Sequence, residues 1–438
     1  MGDPASPDRR MRRGSHDLAY VLGEGGSVGR SRFVQDSLAV APLVLLNAIL
    51  CVVIYAALIT RGGGQRWDAF LLVGPALAAL PLLVAFVLVS LRDHDQPITV
   101  AVFVTGIVGS VEIAILSAVR VFVSYSGALT CVVVTALVMI VVMLRLQQAE
   151  SERVAILDFD GADTAAAQLG GSIRIIRDAQ DDLRATDRVL IDVAAHHSAR
   201  WARFLLRAYM RRVLVTPWVQ FLEKRRGRVD IDSFDVSDIV VSSGQIVYSR
   251  LKRVVDLVLV LLTLPISVPL GLLVALYVRA VAGSPVLFTQ SRRGYGGRDF
   301  TIYKFRTMRR NAGADAARTQ GDDRVLAGMR LLRRLRLDEL PQLINILKGD
   351  MSVVGPRPES ADLAANYEQA IPRYVDRLLV RPGLTGWAQV NAAASVTVAE
   401  AREKLAFDLY YVKRMSLDLD LLILARTIRI IVFGMKRS

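Results

Sequence analysis

Apolar residues come in long blocks at the start of this chain and in shorter, interrupted patterns after them. Residues 38–60, 69–91, 98–119 and 122–144 are four runs of about twenty residues with very little charge, the length a helix needs to cross a bilayer core of about 30 Å. Four such runs in series, parted by short linkers, predict four transmembrane helices over 38–145, after a polar stretch at 1–37. The first run starts too late for a cleaved signal peptide. Arg30 and Arg32 before the first run and Arg145 after the fourth place both ends of this region in the cytoplasm, while Arg61 and Arg66 weigh mildly the other way. Glu112 sits in the middle of the third run. A paired or protonated carboxyl is favoured there over a proton relay or substrate path.

From residue 146 the pattern changes. The short β-rich runs 153–157, 172–176, 188–193 and 213–215, with helical stretches such as 198–209 between them, predict a small α/β domain with a parallel sheet over 146–245. After the first strand a nucleotide-binding version would carry G-x-G-x-x-G. Asp158-Phe159-Asp160-Gly161-Ala162-Asp163 stands there instead, so the domain reads as a degenerate Rossmann-like scaffold or interaction domain.

A second apolar stretch, 257–278, is long enough to cross. Against crossing stand Pro265 and Pro269 near its centre, arginines and a lysine at both flanks, and parity, since four crossings return the chain to its starting side. A re-entrant helix over about 254–279 that turns back at Pro265 and Pro269 satisfies all three. The run Leu417–Phe433 is broken by Asp418, Asp420, Arg426 and Arg429, and 329–337 carries four arginines among leucines. Both suit helices lying in the membrane interface.

Composition narrows the chemistry. Of 438 residues 53% are hydrophobic and 22% charged, and 55 Lys+Arg against 41 Asp+Glu give a net charge of +14. On so apolar a chain that surplus points to anionic lipid or phosphorylated substrates; no groove-reading module speaks for nucleic acid. Cys51 and Cys131 both lie in apolar runs, so there is no disulfide framework. The histidines, His16, His94, His196 and His197, all lie in the first half, and chemistry in the second half must work without imidazole.

There the candidates are Asp338-Glu339, the turn-rich Gly355-Pro356-Arg357-Pro358, and the string from Arg381 to Trp387. The arginine forks match phosphate, and with carboxylates in a membrane-lying frame they point to Mg²⁺-assisted phosphoryl transfer onto a lipid phosphate. The glycines at 294–297 read as a hairpin turn rather than a phosphate cradle.

Seven strings in order carry a more specific resemblance: 252–256, 303–308, 337–343, 345–352, 354–358, 381–391 and 408–412. Residues 252–433 resemble the bacterial sugar transferases, the monotopic polyprenyl-phosphate phosphoglycosyl transferases, and the whole chain resembles their large polytopic members that initiate exopolysaccharide or O-antigen synthesis. The fold class this implies is membrane α plus α/β: four transmembrane helices, a Rossmann-like middle domain, and a catalytic domain over 246–438. The resemblance implies that Asp338 attacks the sugar-bearing phosphorus of a UDP-sugar, glucose or galactose first, with release of UMP. Undecaprenyl phosphate then takes the phosphosugar. It further implies that Glu339 binds Mg²⁺, that Arg333, Arg357 and Arg381 hold phosphates, and that Lys304 and Asp408 line the site. The expected location is the bacterial inner membrane, with the catalytic domain on the cytoplasmic side. Partners are the UDP-sugar, undecaprenyl phosphate and the bilayer; apolar helix faces suit a homodimer as well as lipid. The family's small-residue–proline pair is here Val268-Pro269, and its Gly-Arg after Asn391 is here Ala392-Ala393, which opens the identity of the sugar. Two rivals are a metal-dependent glycosyltransferase using Asp158-x-Asp160 or Asp418-x-Asp420, and a non-enzymatic scaffold of an export complex.

Overall fold

The computed structural model describes residues 34–58, 67–91, 96–118, 123–148, 153–170, 173–183, 186–196, 199–211, 213–232, 234, 243–308, 325–326, 328–392 and 397–433. Arg30, Arg32, Arg61, Arg66, Ala393 and Ala394, and all but the last four residues of 1–37, lie outside them. The chain divides into two compact units, up to Leu222 and from Glu223 onward.

The first unit opens with four apolar helices, α1 (Val34–Leu58), α2 (Trp67–Ser90), α3 (Pro97–Ala118) and α4 (Tyr125–Gln148). Each is long and apolar enough to cross a membrane and lies within a few residues of a predicted span. Their inner faces share two cores, one around Leu80, Val84, Leu88 and Met139, the other around Cys51, Tyr55, Leu77 and Cys131. Leu46, Leu71, Phe86, Ile107 and Leu137 face outward and exposed, as lipid contact requires. Gly109 lets α3 approach α4, since a Cβ there would stand 2.6 Å from Val132. Both carboxylate oxygens of Glu112 are enclosed with no hydrogen-bond partner among the described residues.

The α/β part follows with β1 (Val154–Leu157), α5 (Ala162–Leu169), β2 (Arg174–Ile176), β3 (Arg188–Ile191), α6 (Ala199–Met210), β4 (Leu214–Pro217) and α7 (Trp218–Arg226). All pairings are parallel, in the order β2-β1-β3-β4, as the β-rich runs predicted. Phe159, His196 and Trp218 gather just past the strand ends, with Phe159 centred 5.9 Å from His196 and 6.1 Å from Trp218.

The first helix wholly inside the second unit is α8 (Ser243–Ala282), forty residues long, which at 1.5 Å per residue is about 60 Å, twice a bilayer core. The predicted helix over about 254–279 is its central part. The expected break is not an interruption: Pro265 and Pro269 sit inside continuous helix, because a proline that loses one i→i−4 bond bends a helix more readily than it ends one in an apolar setting. Both flanks of the proline segment pack on this same unit. Before it, Val260 shares a core with Ile302, Ile346 and Met351; after it, Val274 and Val278 pack with Phe305, Met329 and Leu332. The side chains between, Leu262, Ile266, Leu272 and Leu273, are exposed.

After α8 come an antiparallel hairpin, β5 (Leu287–Arg293) with β6 (Asp299–Phe305), then α9 (Arg330–Arg334), a 3₁₀ helix at Leu337–Gln342 and α10 (Leu343–Lys348). The glycines 294–297 form the hairpin's turn, Gly296 and Gly297 both at positive φ. β7 (Ser352–Val354), α11 (Ala361–Ala370), a 3₁₀ turn at Tyr374–Leu379, β8 (Gly383–Thr385), α12 (Trp387–Asn391), α13 (Val398–Arg414) and α14 (Leu417–Phe433) complete the unit. Asp420 on α14 is buried rather than facing water. It accepts from Tyr248 at 2.5 Å and Tyr411 at 2.8 Å and is paired with Lys252, so it fastens α14 to α8 and α13.

β7 and β8 lie parallel, with Ser352 opposite Gly383 and Val354 opposite Thr385, and the backbones meet at glycines. A Cβ on Gly383 would stand 2.1 Å from the Gly355 nitrogen, and one on Gly386 2.1 Å from the Gly355 carbonyl oxygen. No side-chain movement relieves contacts with backbone. Gly383→Ala is therefore expected to destabilise the protein by about 3 kcal/mol, whereas Gly271→Ala, inside α8 and with nothing within 4 Å of its Cβ, is expected to be neutral or stabilising by up to about 1 kcal/mol. Thermal unfolding in detergent checks both; equal effects would refute the crossing as the cause.

Candidate active site

The 3₁₀ helix Leu337–Gln342 presents Asp338 and Glu339 differently, as adjacent residues on any helix must be. Asp338 is half-buried; Glu339 is 4% exposed. A buried carboxylate must be paired, and three cations from separate stretches meet this one. Arg357, in the loop after β7, reaches Oε1 at 2.8 Å; Lys304 of β6 stands 3.6 Å from Oε1; Arg336 stands 3.4 Å from Oε2. Arg336 is a non-glycine residue at φ 59°, a conformation held against its own preference. Burial alone would pull the Arg357 guanidinium down, but the Glu339 carboxylate beside it, helped by Glu359 and Asp338, holds it above its ordinary value.

The other expected residues divide. Arg333 is half-buried and donates to Thr307 Oγ1 at 3.4 Å, which ties α9 to the end of β6. Arg381 is exposed, its carbonyl pressed against Gly355. Asp408 is 1% exposed; Oδ2 takes two bonds from Arg377, at 3.1 and 2.7 Å, and Oδ1 is enclosed with no partner among the described residues. Burial raises the Asp408 carboxyl above the usual carboxylate range, and the attraction of Arg377 offsets only part of that.

Arg377 is the residue the sequence reading missed. Its Nη2 also donates to the Arg357 carbonyl at 2.8 Å, so the Arg377–Asp408 pair holds the loop that presents Arg357. Its one local partner, the Tyr374 hydroxyl at 3.0 Å, does not signal this, since the carbonyl and carboxylate it grips lie 20 and 31 residues away. Glu359 pairs with Lys404; burial pushes its carboxyl up, but Lys404 and Arg377 outweigh that and hold it at about 2. Asn345, fully buried, accepts from the Tyr303 nitrogen at 3.2 Å and donates to the Thr301 carbonyl at 2.7 Å, which seats α10 on β6. Asp256 takes Ser352 Oγ at 3.0 Å and the Val353 nitrogen at 3.1 Å. Asp420 is committed to Lys252, so Asp418-x-Asp420 is not a free metal-binding pair, and among the described residues no three of His, Cys, Asp and Glu converge as a metal cage.

A buried carboxylate among three cations thus stands beside a second, more accessible carboxylate. Comparison with known proteins gives the family. Residues 247–434 match the family model for bacterial sugar transferases. The chain is 40% identical to the UDP-N-acetylgalactosamine-undecaprenyl-phosphate N-acetylgalactosaminephosphotransferase of Aeromonas hydrophila over 57% of this chain and 59% of that one. It is 46% identical to a UDP-glucose:undecaprenyl-phosphate glucose-1-phosphate transferase of Caulobacter vibrioides, over 40% of this chain and 68% of that one. With the exopolysaccharide production protein PSS of Rhizobium leguminosarum bv. phaseoli it shares 39% identity over 41% of this chain and 93% of that one. The chain belongs to the bacterial sugar transferase family. Its matched segments span from 44% to 68% of the lengths of the UDP-sugar-dependent relatives from Aeromonas, Caulobacter and Xanthomonas.

Two outcomes follow. Asp408→Asn, which leaves Arg377 buried and without its counter-charge, is expected to cost about 3 kcal/mol of stability, and Arg381→Ala less than about 0.5 kcal/mol; thermal unfolding separates them. Glu359 carries a depressed pKa, so its contribution is complete above its ordinary 4.5 and is lost as pH falls toward about 2. Glu359→Gln should therefore lose its disadvantage against the unmodified protein between pH 5 and pH 2, as read from midpoints of unfolding; a gap constant with pH would exclude the ion pair as its source.

Proposed function

We propose that this protein transfers a sugar 1-phosphate from a UDP-sugar to undecaprenyl phosphate, giving the lipid-diphosphate sugar and UMP, at the start of a surface-polysaccharide pathway. The observation that carries this is the Glu339 cluster. Three cations gathered on one buried carboxylate are the charge a diphosphate needs, and half-buried Asp338 stands beside them. The relatives' names give the same reaction class, with glucose in some and N-acetylgalactosamine in another.

In this reading a carboxylate oxygen of Asp338 attacks the sugar-bearing phosphorus. The bond from that phosphorus to the bridging oxygen breaks, its electrons leave with UMP, and an aspartyl phosphosugar remains. An oxygen of undecaprenyl phosphate then attacks the same phosphorus and frees Asp338. Lys304, Arg336 and Arg357 balance the charge of the diphosphate and orient it; Arg333 and Arg381 flank them as further phosphate contacts. The donor set fits a divalent cation shared with the substrate, since Mg²⁺ is held by one or two carboxylates with substrate phosphates completing its shell. Glu339, with Asp338 adjacent, would hold Mg²⁺, which when bound neutralises the diphosphate.

The course of α8 supports a membrane arrangement. A helix of about 60 Å whose two flanks both pack on one unit, with exposed leucines and isoleucine around Pro265 and Pro269 between, supports a re-entrant segment that dips into one leaflet and returns. Four crossings and a re-entrant helix leave the site on the cytoplasmic side of the inner membrane, where nucleotide sugar and lipid phosphate meet. The sugar is glucose or galactose first, an N-acetylated hexose second, with Ala392–Ala394 as the place where this chain parts from the family pattern.

Detergent-purified protein with Mg²⁺ and undecaprenyl phosphate is expected to release UMP from one of UDP-glucose, UDP-galactose or UDP-N-acetylgalactosamine. Asp338→Asn should lower that release by about 10³-fold or more. UDP in place of UMP would instead support the glycosyltransferase rival, and folded protein silent with every donor would support the scaffold.

A further inference from the structure

Gln342 ends the 3₁₀ helix that carries Asp338 and Glu339, and it is 2% exposed. A 3₁₀ helix repeats every three residues, so side chains at i and i+3 eclipse. Glu339 and Gln342, both inside the helix, therefore stand in one column, and Arg336, the left-handed residue before it, pairs with Glu339 at 3.4 Å. Gln342 Nε2 is enclosed and meets no acceptor among the described residues.

An enclosed amide nitrogen without an acceptor sacrifices its solvation for nothing, and an apolar side chain of the same length would fit the fold better. The acceptor nearest along the column, Glu339, is already engaged by Lys304, Arg336 and Arg357. Three cations already meet the Glu339 carboxylate, and Gln342, one 3₁₀ turn further on, adds an enclosed amide donor without an acceptor. The complement is a ligand rich in anionic oxygens, which a sugar nucleotide diphosphate supplies.

We propose that Gln342 Nε2 donates to a non-bridging phosphoryl oxygen of the bound sugar nucleotide, as a further substrate-contacting residue beside the charged cluster. This rests on the phosphoryl-transfer reading above. As charge builds on that oxygen during attack by Asp338, a donor already fixed by the helix needs no reorganisation to meet it, so its effect falls on turnover more than on binding.

The test is steady-state UMP release with the UDP-sugar the protein accepts, comparing Gln342→Met, which keeps length without polar atoms, and Gln342→Glu, which keeps shape without the donor. Thermal unfolding is measured alongside. Both variants are expected to lose about a hundredfold in kcat with KM within about twofold, while Gln342→Met unfolds at or above the unmodified protein's temperature. Wild-type kcat and KM in Gln342→Met, with Asp338→Asn still inactive, overturns this proposal alone. Losses in both variants that track loss of folded protein overturn it too, as a packing role. An unmodified protein that releases no UMP overturns the reading on which it rests.

Discussion

A carboxylate taken out of water has to be answered by charge, and Glu339 is the carboxylate around which the second unit is arranged. Its partners come from β6, from the turn before the 3₁₀ helix and from the loop after β7. None is close to Glu339 in sequence except Arg336. Each must arrive in register, and each arrival is secured by a different device. The hairpin register sets Lys304 opposite Phe288, a left-handed backbone step turns Arg336, and the glycine crossing of β7 and β8 starts the loop that delivers Arg357. Glu339 and its neighbour Asp338 stand against three cations, which leaves a positive excess that attracts anions even though the pairs are satisfied.

Beneath that cluster lies a second set of buried pairs with another task. Arg377–Asp408 holds main chain, and Lys404–Glu359 joins α13 to the loop after β7. Arg377 spans the two layers, since one guanidinium grips Asp408 and the carbonyl of Arg357 together. Buried pairs add little net stability over a well-packed apolar core. Their value here is in direction, because a fork with fixed geometry positions a loop more sharply than van der Waals contact does. The site's charge is thus supported by charge, and the supports are as buried as the site.

How much of this was legible depends on range. Helices α1 to α4 and the parallel strands β1 to β4 follow from hydrophobic runs and periodicity, which are local, and the structure places them within a few residues of expectation. Asp338, Glu339, Lys304 and Arg357 were legible as motif residues. What local pattern concealed was partnership over distance. Asp408 sits in a motif string and was expected to line the site, but its partner Arg377 is 31 residues away and draws it into the core. Asp420 looked like a water-facing interruption of an apolar helix until Lys252, 168 residues earlier, claimed it. In both cases the residue type was read correctly as charged, and its direction was not, because direction is set by a counter-charge that spacing does not reveal.

The same lesson bears on α8. Length and hydropathy alone allow a span, and two prolines alone allow a kinked one. What argues for return is where its flanks are held. Lys252 and Asp256 before the prolines are committed to Asp420 and to Ser352 and Val353, and Val274 and Val278 after them are committed to the core with Phe305 and Met329. A segment that crossed the bilayer would have to give up one of these sets to lipid or to the opposite face, and the first contains a buried ion pair whose separation would strand a charge. The cost of losing that pair, more than the prolines themselves, is what supports the proposed return of the apolar stretch to one side.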